Sequence, residues 1–319
     1  MLPCRQGILG AISIILVILI GNDHKAEGMK KKKQQLPVPQ SCEGSTDNYV
    51  QYIPGTLNLI LTAPHGGHLK PKYIPNRCEK RWKDCECMYR SCENPDLSIS
   101  VHNDRKTQEL TLSLAEELGK LTGGRPHVVI NHLHRKKMDG NRGECIGSFH
   151  VPASLRAHRQ YHSTIQKAKQ SIRGAGLLID IHGQAHPERL IELGYCISKA
   201  KLNARELYHE HTSIRSLFER KKDKVHTFSN LINGEASFGA FLEQMGYPAV
   251  PSNLHPSPEE APYYPGGFTV QTHGSKSGGL IDAIQVECPA YLREDEKRAG
   301  FVHDLAVAIK SYLDAYYND

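Results

Sequence analysis

Gly176-Leu-Leu-Ile-Asp180-Ile181-His182-Gly183-Gln184 is the stretch whose reading decides the fold. Its first residues are a short apolar run closing on a carboxylate, the pattern of a strand buried on both faces. The same grammar occurs upstream, where residues 57–62 (Leu-Asn-Leu-Ile-Leu-Thr) run into Ala63-Pro64-His65-Gly66-Gly67, a strand feeding a glycine-rich loop. Working outward, further strands are expected at 127–131, 190–198 and 280–286. Apolar residues at helical spacing predict helices at 107–121, 152–172, 236–245 and 295–317, with Gly123-Gly124 and Gly174 as stops. Strands separated by helices predict a single α/β domain over 45–319. Its sheet would be mixed, mostly parallel, and covered by helices on both faces. In such folds, functional residues gather on loops at the carboxyl ends of strands.

The 319 residues, 39% of them hydrophobic and 23% charged, can bury a real core and exclude a disordered polymer, a fibrous repeat and a multi-span membrane protein. Forty basic against 34 acidic residues leave a net charge of +6. The only dense basic run is Lys30-Lys31-Lys32-Lys33, and elsewhere the signs mix, which argues against nucleic acid as a partner. Residues 1–21 read as a targeting segment: Arg5 precedes an apolar stretch from Ile8 to Ile20, the length of a signal-peptide core. The expectation is a secreted protein, with an uncleaved anchor as the alternative and no other membrane contact. Residues 22–44 are basic and Pro/Gln-containing, a linker. In an oxidising compartment the cysteines beyond Cys4 read as disulfides: Cys42, Cys78, Cys85, Cys87, Cys92, Cys145, Cys196 and Cys288. A cysteine-rich loop at about 76–93 lacks the paired spacing of a zinc ribbon and reads as disulfide-stapled.

Eighteen histidines pose the chemical question, since histidine is the commonest metal ligand. His65 follows a strand directly and sits before two glycines that let a ligand approach. Asp180 and His182 fall on the same side of an extended chain, so Asp180 can orient His182. Glu287 ends the apolar run Ile284-Gln285-Val286, where a buried carboxylate is costly unless it is paired or works. Beside a metal-activated water it would be a general base. Its neighbour Cys288 faces the other way on an extended chain. The segment from Arg135 to Arg142, with Asp139 and Asn141, suits an anionic substrate. Tyr263-Tyr264-Pro265 could form a mobile rim.

Taken in order, these residues resemble the N-formylglutamate amidohydrolase family, within the wider group of zinc carboxypeptidase-like folds. The resemblance runs, with gaps, from about Ala63 to Tyr291. Pro64-His65-Gly66-Gly67 is similar to the family's opening motif. Asp104 ahead of Glu109-Leu110, Arg135 through Asp139-Gly140-Asn141-Arg142, Tyr161-His162 and Ile179-Asp180-Ile181-His182 resemble its middle segments. Gly266-Gly267-Phe268-Thr269, His273-Gly274 and Gln285-Val286-Glu287 with Tyr291 resemble its close.

The resemblance implies a zinc-dependent amidohydrolase with one Zn2+ per chain, cleaving the amide of an N-formyl or N-acyl amino acid. His65 and His182 would be ligands and Glu287 the base. Arg135 would stabilise the oxyanion, and Asn141 with Arg142 would clamp a substrate carboxylate. His68, three residues after His65, is the expected third ligand, with Asp104 as the competitor and Asp180 behind His182. Gly267 and His273 would lie at the rim. Two alternatives use the same residues: a zinc exopeptidase binding a short peptide, and a non-catalytic binding protein on a hydrolase scaffold.

Overall fold

The computed structural model describes residues 48–77 and 99–318. The expected targeting segment, the expected linker and nearly all of the cysteine-rich stretch lie outside the described residues, and so do Cys42, Cys78, Cys85, Cys87 and Cys92. Among the described residues no helix is long and apolar enough to cross a membrane. Cys196 and Cys288 are free thiols, so these two stand outside the bridges, up to four, that eight cysteines past Cys4 allow.

Among the described residues, seven strands form one sheet: β1 (Val50–Ile53), β2 (Leu59–Ala63), β3 (His127–Asn131), β4 (Gly176–Gln184), β5 (Ile191–Gly194), β6 (Ala249–Val250) and β7 (Ile281–Pro289), in the order β1-β3-β2-β4-β7-β5-β6. The ladder is parallel through β3, β2, β4 and β7 and again between β5 and β6, and antiparallel at β1–β3 and β5–β7. The helices are α1 (Thr107–Thr122), α2 (Glu144–Ser148), α3 (Pro152–Ser171), α4 (Lys199–Ala204), α5 (Arg215–Val225), α6 (Phe228–Asn233), α7 (Phe238–Gln244), α8 (Phe268–His273) and α9 (Asp295–Tyr316). The expected α/β domain, with its mixed and mostly parallel sheet, is therefore what forms.

Side-chain alternation sorts the central strands into two cores. Leu177, Ile179 and Ile181 of β4, with Ile284 and Val286 of β7, face a large cluster closed by Leu110 and Leu114 of α1 and by Phe301, Leu305 and Ile309 of α9. Leu178 of β4, Ile60 of β2 and Ala283 of β7 face the opposite side, where Tyr161 and Ile165 of α3 cover them. On this second face the strands change character toward their carboxyl ends. Thr62, Asp180, His182, Gln285 and Glu287 continue the parity of the apolar residues before them, and all are buried. Parity thus supplies a polar cluster at the end of a greasy sheet without any irregularity in the strands.

The loop after β2 is pinned against the rest. Gly66 has φ 97°, the left-handed region that glycine tolerates, and its N–H donates to Asn103 Oδ1 at 3.2 Å. At Gly67 a Cβ would fall 2.4 Å from the His132 carbonyl carbon, so only a hydrogen fits there. We expect Gly67→Ala to destabilise the domain by about 1–3 kcal/mol through overpacking against fixed backbone, read as a lower midpoint in denaturant unfolding.

Candidate metal centre

Two loops and a strand deliver the centre. His65 follows the end of β2, His182 lies within β4, and Asp104 lies three residues ahead of α1. Asp104 Oδ2 stands 3.1 Å from His65 Nδ1 and 3.1 Å from His182 Nδ1, and the two imidazoles meet edge-on with centroids 4.9 Å apart. His65, Asp104 and His182 together form a buried group able to hold a metal ion. The far nitrogen of each ring has its own carboxylate: His65 Nε2 lies 2.7 Å from Asp139 Oδ1, and His182 Nε2 lies 2.8 Å from Asp180 Oδ2. A carboxylate on Nε2 fixes the proton there and turns the Nδ1 lone pair inward. Two imidazole nitrogens and one carboxylate oxygen are a donor set suited to a borderline divalent cation.

Asp104, Asp139, Asp180 and Glu287 are all buried, and Arg77, Arg135 and the His182 imidazole are set among them. Buried carboxylates are costly unless paired, and these contacts supply the pairing. Burial alone would raise the Asp104 carboxyl, but the charge of His65, the bonds from His182 and His65, and Arg135 outweigh it and hold the group well below its ordinary range. Burial opposes a charged His182, yet Asp180, Asp104 and Glu287 overcome it and push that imidazole well above its usual value. Burial pushes Glu287 up to about 8, with the His182 charge opposing and Asp104 and Glu192 reinforcing. A carboxyl group poised there can take and release a proton near neutral pH.

Around the trio lies a cavity of about 700 Å³. Glu287 Oε1 approaches His182 Nδ1 to 3.9 Å and accepts a hydrogen bond from Gln285 Nε2 at 2.9 Å. Arg135 donates from Nε to Asp139 Oδ2 at 2.9 Å and from Nη1 to Asp104 Oδ1 at 3.4 Å. Arg293 braces the base of the cavity, donating from Nε to the Cys288 carbonyl at 3.1 Å and from Nη2 to the Gln184 carbonyl at 3.1 Å.

Several sequence-based roles change. His68 does not join the rings: its side chain is 68% exposed and sits 3.7 Å from Glu109. The reason is local, because the chain turns away after Gly67 to bridge Leu69 with Leu133. Asp104, the competitor, takes that place. Asn141 borders the cavity, and its amide is engaged by its neighbours at both ends. Its Nδ2 donates to Gln285 Oε1 at 3.2 Å and its Oδ1 accepts from Thr269 N–H at 2.9 Å, so it ties α8 to β7. Arg142 does line the cavity, using one nitrogen on the Asn141 carbonyl at 2.8 Å. Gly267 also lines it, whereas His273 is buried elsewhere, 2.9 Å from His162 Nδ1 on α3. Asp139, Gln285 and Glu192 had no assigned role. Asp139 had a visible signal, a carboxylate four residues after Arg135, but its partner His65 lies 74 residues away.

We expect Asp139→Asn or Asp180→Asn to weaken metal binding about 10- to 100-fold, and His68→Ala to leave it unchanged, in competition titrations against a chromophoric chelator. Because His182 is held protonated, a bound cation must displace that proton. Apparent affinity should rise with pH and fall as pH drops, with proton release visible by calorimetry in buffers of different ionisation enthalpy.

No family model matches this chain, and no curated protein matches it. Among solved structures, it is similar to the crystal structure of N-formylglutamate amidohydrolase from Ralstonia eutropha JMP134, at 15% sequence identity and a TM-score of 0.46, the match covering 84% of this chain and 97% of that one.

Proposed function

We propose that this chain is a metal-dependent hydrolase, most simply a zinc amidohydrolase acting on an N-acyl amino acid. The observation that carries the reading is the pairing of two Nδ1 atoms with Asp104 Oδ2, backed by Asp139 and Asp180, with Glu287 beside them in an open cavity. A zinc ion held by His65, Asp104 and His182 would supply Lewis acidity toward a carbonyl oxygen and make water a stronger acid.

The rest is done by side chains. Glu287 receives the proton of the attacking water and passes it to the departing amine nitrogen. Gln285 fixes the orientation of that carboxylate through its bond to Oε1. Arg135 spends Nε and Nη1 on Asp139 and Asp104 and keeps Nη2 for charge developing on the carbonyl oxygen. Arg142, with one nitrogen engaged by the Asn141 carbonyl, keeps two for a substrate carboxylate. Secretion, through residues 1–21, remains part of the proposal.

The experiment is metal analysis of purified protein with a hydrolysis screen of N-formyl and N-acyl amino acids against C-terminal dipeptides. Near-stoichiometric zinc is expected, with activity lost in chelator and restored by zinc. Protein without bound metal would remove both enzymatic readings, and metal without turnover of any substrate would favour a binding protein. Glu287→Gln should keep the metal and lower turnover by about 10²- to 10⁴-fold; metal loss in that variant would make Glu287 a ligand instead.

A further inference from the structure

One wall of the cavity differs from the others. Most lining groups are charged or amide-bearing, but Ala185, Tyr264, Pro265 and Ala290 bring an apolar surface. Tyr264 dominates it and is 46% exposed.

The wall is built, and it is not the mobile rim expected from composition. Glu192 on β5 is only 2% exposed and directs both carboxylate oxygens to this purpose. Its Oε2 accepts the Tyr264 N–H at 2.8 Å, and its Oε1 lies 2.6 Å from His186 Nδ1. The His186 ring stacks on the Tyr264 ring, with centroids 5.0 Å apart and planes 25° from parallel. On either side the segment is fastened too: Tyr263 Oη donates to the Leu193 carbonyl at 2.6 Å, and the Pro265 carbonyl accepts the Cys196 N–H at 2.7 Å.

An aromatic ring backed by a second ring, with surface left open toward a cavity, is a preorganised platform for an apolar group. The cavity has room for one: about 700 Å³ is in the range that buries drug-sized ligands, roughly 300–1,000 Å³. A formyl group on a small amino acid occupies little of that. We propose that Tyr264 is the specificity-determining residue of this site, and that the preferred substrates carry an aromatic or bulky apolar group which packs on its open surface. The class of ligand rests on the hydrolase reading above; the wall does not.

The test measures binding separately from turnover, using the zinc-loaded full chain carrying Glu287→Gln and three probes: N-formylglycine, N-benzoylglycine and N-formylphenylalanine. At least one aromatic probe is expected to bind about tenfold more tightly than N-formylglycine. Adding Tyr264→Ala should erase that preference while N-formylglycine affinity is kept, and Tyr264→Phe should retain it. Equal affinity for all three probes, a preference that survives Tyr264→Ala, or a uniform loss for every probe in that variant overturns the proposal. Wild-type hydrolysis of the same probes reads the other question: retained preference without turnover sinks the hydrolase reading and leaves the wall standing. Failure of all three probes to bind sinks both.

Discussion

One oxygen atom organises the centre. Asp104 Oδ2 meets a ring nitrogen of His65, a ring nitrogen of His182 and the backbone N–H of Gly183, the last at 3.2 Å. Counting Asp104 itself, these groups arrive from three separate places in the chain, and their convergence depends on the order of the sheet. β2 and β4 must be adjacent and parallel for the loop after one to reach the end of the other, and the ladder pairs Thr62 with Asp180. Thr62 Oγ1 then donates to Asp180 Oδ1, joining the strands at the level where their faces turn polar. Asn103 completes the arrangement by accepting from Gly66 N–H and donating to the Gly67 carbonyl, holding the His65 loop to the segment that carries Asp104.

How the centre tolerates so much buried charge follows from its partners. Asp139 receives two guanidinium groups as well as an imidazole, and burial is outweighed by Arg135, His65 and Arg77 so that its carboxyl stays well below the usual range. Among the described residues Glu287 has no guanidinium within bonding distance, and it accepts an amide bond from Gln285. Two buried acids, Asp139 behind His65 and Glu287 in the cavity wall, are therefore driven in opposite directions, the arrangement that separates a permanently charged group from one that exchanges protons.

Much of this was legible in the sequence. The apolar runs at 57–62, 127–131 and 176–180 all became strands, because central parallel strands need apolar residues on both faces and little else matches that pattern. The long helices α1, α3 and α9 lie within a residue of their expected ends. The elements β1, β6, α2, α4, α5, α6 and α8 went unread; all but the eleven-residue α5 hold two to six residues, too few periods to register. At the centre, single-strand parity was enough to join Asp180 to His182. It could not identify Asp104, whose selection over His68 depends on the chain turning away after Gly67. Nor could it show that Asn141 is consumed by Gln285 and Thr269, contacts spanning more than a hundred residues.

The antiparallel register of β5 against β7 sets Glu192 directly opposite Glu287. Facing residues in such a pair present their side chains on the same side of the sheet. Two carboxylates thus occupy facing rungs of one ladder, one turned toward the rings and the other toward Tyr264 and His186. The part of the cleft that would react and the part that sets its shape share a common backbone support. With β7 held by β4, a one-residue slip of β5 would turn Glu192 to the other face and separate the two carboxylates. The cleft can be resized from its loop side, at residues 185 and 264–265, while its sheet side admits no independent adjustment.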